Sequence, residues 1–210
     1  MRPIRIALTK GRLEKRCVEL FEAIGFDCGQ LLSKGRRLIL PMNGHEVVLA
    51  KAADVITYVE NGACDMGVVG KDTIVEADSG AYEMLDLGFG KCRFALAGPK
   101  DVDFFAGYHE RVVATKYPRV ARRFFEQKGM DVRIIKIEGS VELAPLLGLA
   151  HGIVDIVETG ATLRENGLEI IEEILPISAR VIVNKACMKL RQAELEQLLS
   201  LMQLASRVAG

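Results

Sequence analysis

The sequence has 210 residues, 50% hydrophobic and 27% charged, with 28 Lys and Arg against 28 Asp and Glu. This is globular composition, enough for one large domain or two small ones. The balanced charge offers no basic field to nucleic acid or anionic lipid, and no apolar run approaches the ~20 residues of a membrane span, so neither partner is expected. Five scattered cysteines, Cys17, Cys28, Cys64, Cys92 and Cys187, form no CxxC pair and fit free thiols in a reducing cytosol. His45, His109 and His151 lack metal-ligand spacing, so no protein-built metal site is expected. The N-terminus turns charged too soon for a signal-peptide core, which makes a cytoplasmic location the expectation.

Short apolar runs alternate with helical patterns along the chain. Ile4–Leu8 reads as a strand, and Leu13, Cys17, Leu20, Phe21 and Ile24 have helical period, stopped by Gly25. Strands are expected over Leu38–Leu40 and Val47–Ala50, joined by an Asn43-Gly44 hairpin turn. Asp54 is read as the cap of a helix running through Asn61 to Gly62. Met66–Val69 reads as a buried strand, and Gly70-Lys71-Asp72 opens another helix. Strands follow over Leu85–Leu87, Arg93–Ala97 and Val112–Ala114, then a helix over Tyr117–Lys128 with Pro118 in its first turn. Val132–Ile137 is a strand, Glu142–Leu149 a helix and Ile153–Val157 a strand; a helix starts at Thr159. Ile170–Leu175 and Arg180–Val183 read as extended, and a last helix runs from about Leu190. In it Leu195, Leu198, Leu199 and Met202 share one face, and Leu201, Leu204, Ala205 and Val208 another. These form either a wide core stripe or a surface for a neighbouring subunit.

The alternation predicts α/β layers with largely parallel strands. Soft boundaries near Gly88-Phe89-Gly90 and Leu175-Pro176 divide the chain into residues 1–90 plus 177–210 and residues 91–176.

The most informative stretch is Ile153-Val154-Asp155-Ile156-Val157-Glu158-Thr159-Gly160-Ala161-Thr162-Leu163. A buried strand ends in acidic residues, and a tight polar turn then opens a helix. Free N–H groups at a helix start form an anion site, and Gly160 lets backbone come close to the anion. Thr159 and Thr162 add hydroxyl donors. Asp155 and Glu158 are poor phosphate ligands but suit sugar hydroxyls or positive charge on a ribose ring. Acids with Thr-Gly-x-Thr therefore point to a ribose 5-phosphate. In the bland alternative Thr159 is only a helix cap. An anion-binding protein and a salvage phosphoribosyltransferase stay open at this stage, though the adjacent acid pair usual in the latter is absent, because Val154 precedes Asp155.

Blocks spread along the chain carry a resemblance. They are Ala7-Leu8-Thr9-Lys10-Gly11-Arg12-Leu13, the run from Asp54 to Gly62, the run from Asp65 to Asp72, Ala114-Thr115-Lys116-Tyr117-Pro118, and Gly139-Ser140-Val141-Glu142-Leu143-Ala144-Pro145 continuing through the loop to Leu168. In this joint order the sequence resembles ATP phosphoribosyltransferase in its short form, the catalytic subunit of the first step of histidine biosynthesis. The resemblance implies a two-lobed α/β fold like the type II periplasmic binding proteins, with mostly parallel sheets and the active site between lobes. It implies transfer of the phosphoribosyl group of phosphoribosyl diphosphate to ring nitrogen 1 of ATP, with Mg2+. It also implies a histidyl-tRNA-synthetase-like regulatory subunit as partner, around a catalytic homodimer. Residues Thr159, Gly160, Ala161 and Thr162 would hold the 5-phosphate, Asp155 and Glu158 would face the ribose, and Glu142 would orient the ribose or nearby backbone. Lys10, Arg12, Arg36 and Lys51 are the candidates for the diphosphate and triphosphate. Two departures stand out: His151 where the motif usually has Asp, and Lys51 where it often has Arg, which loses the bidentate fork.

Overall fold

A computed structural model describes residues 2–107 and 110–208; His109 lies outside them, as does the side chain of Val208. The chain divides into two compact units, Met1–Gly90 with Ser178–Gly210 and Lys91–Ile177.

The first unit is built on a six-stranded sheet. Its strands are β1 (Arg5–Thr9), β2 (Ile39–Met42), β3 (His45–Ala50), β4 (Met66–Gly70), β5 (Tyr82–Asp86) and β11 (Ala179–Val183), in the order β2-β3-β1-β4-β11-β5. Central strands read as unbroken apolar runs because both faces are covered. Ile6 and Leu8 of β1, Met66 and Val68 of β4, and Val181 and Val183 of β11 join a core with α1 (Arg12–Ala23) and α9 (Gln192–Val208). The alternate residues Ala7, Val69 and Ile182 join a core with α3 (Ala52–Glu60) and α4 (Lys71–Ala77). Gly67 is needed on that second face, since a β-carbon there would stand 2.7 Å from Val55 Cγ1 and 3.0 Å from Val59 Cγ2. Leu195 and Met202 of α9 are fully buried, so the first apolar face of the last helix is core. On the other face Leu204 is exposed, whereas Ala205 is buried in the same core.

The second unit is a five-stranded sheet of order β10-β6-β9-β7-β8, formed by β6 (Cys92–Pro99), β7 (Arg111–Thr115), β8 (Val132–Lys136), β9 (Gly152–Val157) and β10 (Leu168–Ile177). One face gives Ala95, Ala97, Val112, Ala114, Ile153 and Val157 to a core with Ala144 and Leu163. Helix α5 (Pro118–Gln127) buries Val120, Ala121, Phe124 and Phe125.

Some expectations need correction. Both sheets are mixed: of the nine pairings among the described residues, four are parallel and five antiparallel. One antiparallel pair is the β2–β3 hairpin, whose turn residues Asn43 (φ 45°) and Gly44 (φ 77°) are both left-handed. The others arise where β6, β10 and β11 carry the chain between units, a path that local patterning does not encode. The helix expected over residues 142–149 shrinks to α6 (Leu143–Leu146), which contains Pro145 and is followed by a left-handed Gly148. Asp54 lies in the first turn of α3, whose N-cap is Lys51. The last helix is preceded by a separate α8 (Lys185–Leu190), and α2 (Gly29–Leu32) has no signature in the periodicity.

Candidate active site

Strand β9 runs between β6 and β7, and its C-terminal end leads directly into the Thr-Gly-Ala-Thr turn and the short α7 (Ala161–Glu165). Gly160 occupies the N-cap position in a left-handed conformation (φ 73°, ψ 10°), which glycine adopts without β-carbon strain. Thr159 is therefore not the cap itself, although its Oγ1 accepts the N–H of Ala161 at 3.3 Å. Among the described residues, the amides of Gly160, Thr162 and Leu163 have no protein acceptor. They are left for solvent or an anion.

Glu142, Asp155, Glu158, Thr159, Gly160, Ala161 and Thr162 line one open concavity. Seven residues singled out in the sequence are thus brought together in the second unit. Burial raises the Asp155 carboxyl to about 6; the N–H of Ile156 opposes this, Glu142 adds to it, and Lys116 opposes it. Asp155 thus titrates within reach of neutral pH, where acid–base and charge-stabilising groups are useful. Two guanidinium groups brace the turn from its carbonyl side. Arg164 donates to Thr159 O at 3.1 Å, and Arg93 donates to Glu158 O at 3.3 Å while pairing with Glu173 at 2.6 Å.

Three cations near this turn, Lys116, Arg164 and Arg93, received no role from the sequence. Arg164 was findable, because the fourth residue after Gly160 lies one helical turn above it. Lys116 follows a strand that neighbours β9, and that adjacency is tertiary.

Lys10, Arg12, Arg36 and Lys51 belong to the first unit. Lys10 and Lys51 directly follow Thr9 and Ala50, which are register partners in the parallel β1–β3 pair, and Lys10 N donates to Ala50 O at 2.9 Å. Two lysines thus share the carboxyl end of adjacent parallel strands, the edge where α/β proteins bind ligands. Arg12 opens α1, and Arg36 is exposed in the turn before β2.

His151 is a strand-end residue. Its N–H donates to Val112 O at 2.8 Å, and its Nδ1 accepts the N–H of Val112 at 2.9 Å. It immediately precedes β9, four residues from Asp155, or about 13 Å along an extended chain. The departure at position 151 is therefore remote from the concavity.

A family model described as HisG: ATP phosphoribosyltransferase matches residues 51–204. The chain belongs to this family. An ATP phosphoribosyltransferase of Clostridium kluyveri is 57% identical over 204 residues, 96% of this chain and 93% of that protein. One from Listeria welshimeri is 54% identical over 207 residues, covering 98% and 97%. A solved ATP phosphoribosyl transferase (HisG:HisZ) complex from Thermotoga maritima aligns at TM-score 0.84 with 33% identity, covering 97% of this chain and 98% of that one. The periplasmic aliphatic sulphonate binding protein SsuA from Escherichia coli aligns at TM-score 0.60 and 12% identity, over 98% of this chain and 73% of that one, and shows shared fold alone. As an ATP phosphoribosyltransferase, the chain is an enzyme that transfers a phosphoribosyl group to ATP, the first step of histidine biosynthesis. The salvage and non-catalytic readings fall away.

Among the described residues no helix is long and apolar enough to cross a membrane.

Proposed function

We propose that the transfer joins ring nitrogen 1 of ATP to the anomeric carbon of phosphoribosyl diphosphate, with pyrophosphate leaving, and that the concavity at the end of β9 receives the phosphoribosyl group. The observation that supports this reading is the set of helix-start amides without a protein acceptor, beside the carboxylates of Asp155, Glu142 and Glu158. Amides and the hydroxyls of Thr159 and Thr162 take the 5-phosphate. Asp155 and Glu158 face the ribose, where positive charge grows as the leaving group departs, and Glu142 orients the ring or nearby backbone. Opposite charges held in place before the reaction lower its barrier without reorganisation. Lys10, Arg12, Arg36 and Lys51 take the diphosphate and triphosphate charge.

Mg2+ is the divalent ion we propose for the reaction. Among the described residues no group of three or more His, Cys, Asp or Glu could hold a metal. The ion fits best on phosphate oxygens and water, where it screens the substrates' charge.

The Thermotoga structure is that of a HisG:HisZ complex. We infer a corresponding regulatory subunit, similar to histidyl-tRNA synthetase, for this chain, with a homodimer as the catalytic unit and the cytoplasm as location. Five free cysteines agree with a reducing compartment.

The test is to incubate the chain, with and without the regulatory subunit, with ATP and phosphoribosyl diphosphate while following pyrophosphate and phosphoribosyl-ATP. Crystals soaked in phosphoribosyl diphosphate should carry its 5-phosphate at the amides of residues 160–163. A phosphate bound elsewhere counts against the assignment.

A further inference from the structure

The backbone of Lys116 is fixed next to β9 by its two neighbours. Thr115, fully buried, pairs with Val154 in the β7–β9 ladder, and its Oγ1 donates to Val154 O at 2.6 Å. The same hydroxyl accepts the N–H of Tyr117 at 2.8 Å. The Tyr117 ring meets Phe94 edge-on at 4.8 Å, and Phe94 is the register partner of Ile156. The residues before and after Lys116 are therefore tied to the residues before and after Asp155. The Lys116 side chain is exposed, and among the described residues it makes no ion pair or hydrogen bond. The Lys116 backbone is thus held next to Asp155, whose ionised form the lysine charge favours.

We propose that Lys116 is the counter-charge of Asp155 in phosphoribosyl transfer, a positioning residue that acts through that carboxylate. This rests on the reading of the concavity given above. The charges facing Asp155 agree with it. Glu142 disfavours the ionised carboxylate and Lys116 favours it, while the β6 residue opposite, Ala95, carries no charge. Lys116 also acts favourably on Glu138, but that carboxylate is served first by Lys136 at 2.7 Å. If the ionised form of Asp155 supports the transfer, activity falls as pH drops through about 6. Removing Lys116 makes Asp155 harder to ionise and moves that acid limb to higher pH.

The experiment measures the pH dependence of kcat/KM for phosphoribosyl diphosphate in the enzyme assembled with its regulatory subunit. Calorimetric affinity for the same substrate is followed in parallel, for the parent, Lys116→Met, Lys116→Arg and Asp155→Asn. Lys116→Met should move the acid limb up by roughly half a pH unit or more, as expected for a surface-exposed charge acting over a short distance. Lys116→Arg should restore it, and in the Asp155→Asn background Lys116→Met should shift nothing further. An acid limb in Lys116→Met that coincides with the parent's overturns the proposal, whatever the overall rate. If the parent is active and only this shift is missing, Lys116 fails alone. If phosphoribosyl diphosphate does not bind at the concavity, the underlying reading fails and this proposal with it.

Discussion

A β-carbon on Gly160 would stand 3.2 Å from Arg164 Nη1, in a backbone conformation (φ 73°) that L side chains rarely adopt. The turn is thus held tight on one side by a guanidinium that also donates to Thr159 O. Combining Thr159→Val with Gly160→Ala removes one hydroxyl and imposes left-handed strain of roughly 1–2 kcal/mol. Affinity for phosphoribosyl diphosphate should fall tenfold or more by calorimetry while the circular dichroism spectrum is unchanged. Near-parental affinity would reduce the turn to a helix cap.

Asp155 sets function against stability. Burial, the largest influence, lifts its carboxyl from an ordinary 3.8 to about 6. A raised folded-state value means that the native state favours the protonated form. The stabilising contribution is complete below the ordinary carboxylate value and is lost as pH rises through about 6. Asp155→Asn removes this burden, so it should stabilise the protein at pH 8 by on the order of 1–3 kcal/mol and gain little near pH 4. Turnover should fall at the same time. Denaturant titrations at the two pH values, beside steady-state rates, would check both halves.

Asp65 is the reverse case. It is fully buried, and Arg2 reaches both its oxygens at 2.8 Å while the N–H of Arg5 donates at 2.8 Å. Arg191 approaches it at 3.4 Å and also donates to the carbonyls of Arg2 and Pro3. Burial acts to raise its pKa, but the Arg5 N–H and the side chains of Cys187 and Arg2 outweigh that and leave it lowered. Its stabilisation is present above the ordinary carboxylate range and lost as pH falls through the depressed value. Asp65→Ala takes the carboxylate from Arg2 and from the N–H of Arg5, while Arg191 keeps Glu194 at 2.6 Å, and should cost about 1–3 kcal/mol, read from the urea midpoint at pH 7. The deficit should shrink in acid.

Helix α9 offers a test of where its apolar faces go. Met202 and Leu195 are fully buried and Leu198 and Leu199 nearly so, whereas Leu204 is exposed. Met202→Ala should cost about 2–5 kcal/mol. Leu204→Lys should stay within about 0.5 kcal/mol unless that face meets another subunit. A change of solution mass in Leu204→Lys would place the proposed homodimer contact there.

Local chemistry was legible wherever one strand or turn carries its own signal. The alternate burial of β1 and β4, the left-handed Asn43-Gly44 hairpin and the β9–Gly160–α7 junction follow from side-chain period and from glycine's conformational freedom. The acids and hydroxyls of that junction lie within a few residues of one another, so their grouping needed no fold. The resemblance supplied Glu142, which the structure brings to the same concavity from α6's leading edge.

What the sequence alone determined is therefore the period of each element, the anion-ready turn after β9 and the family. Only the tertiary structure decided strand direction in the mixed sheets, the remoteness of His151, the pairing of Lys10 with Lys51 at neighbouring strand ends, and the placement of Lys116 beside Asp155. The physical reason is one of range. Backbone propensity and side-chain period act over a few residues, whereas a shared ladder such as Thr115 with Val154 joins residues 39 positions apart, and no local pattern records which strands become neighbours.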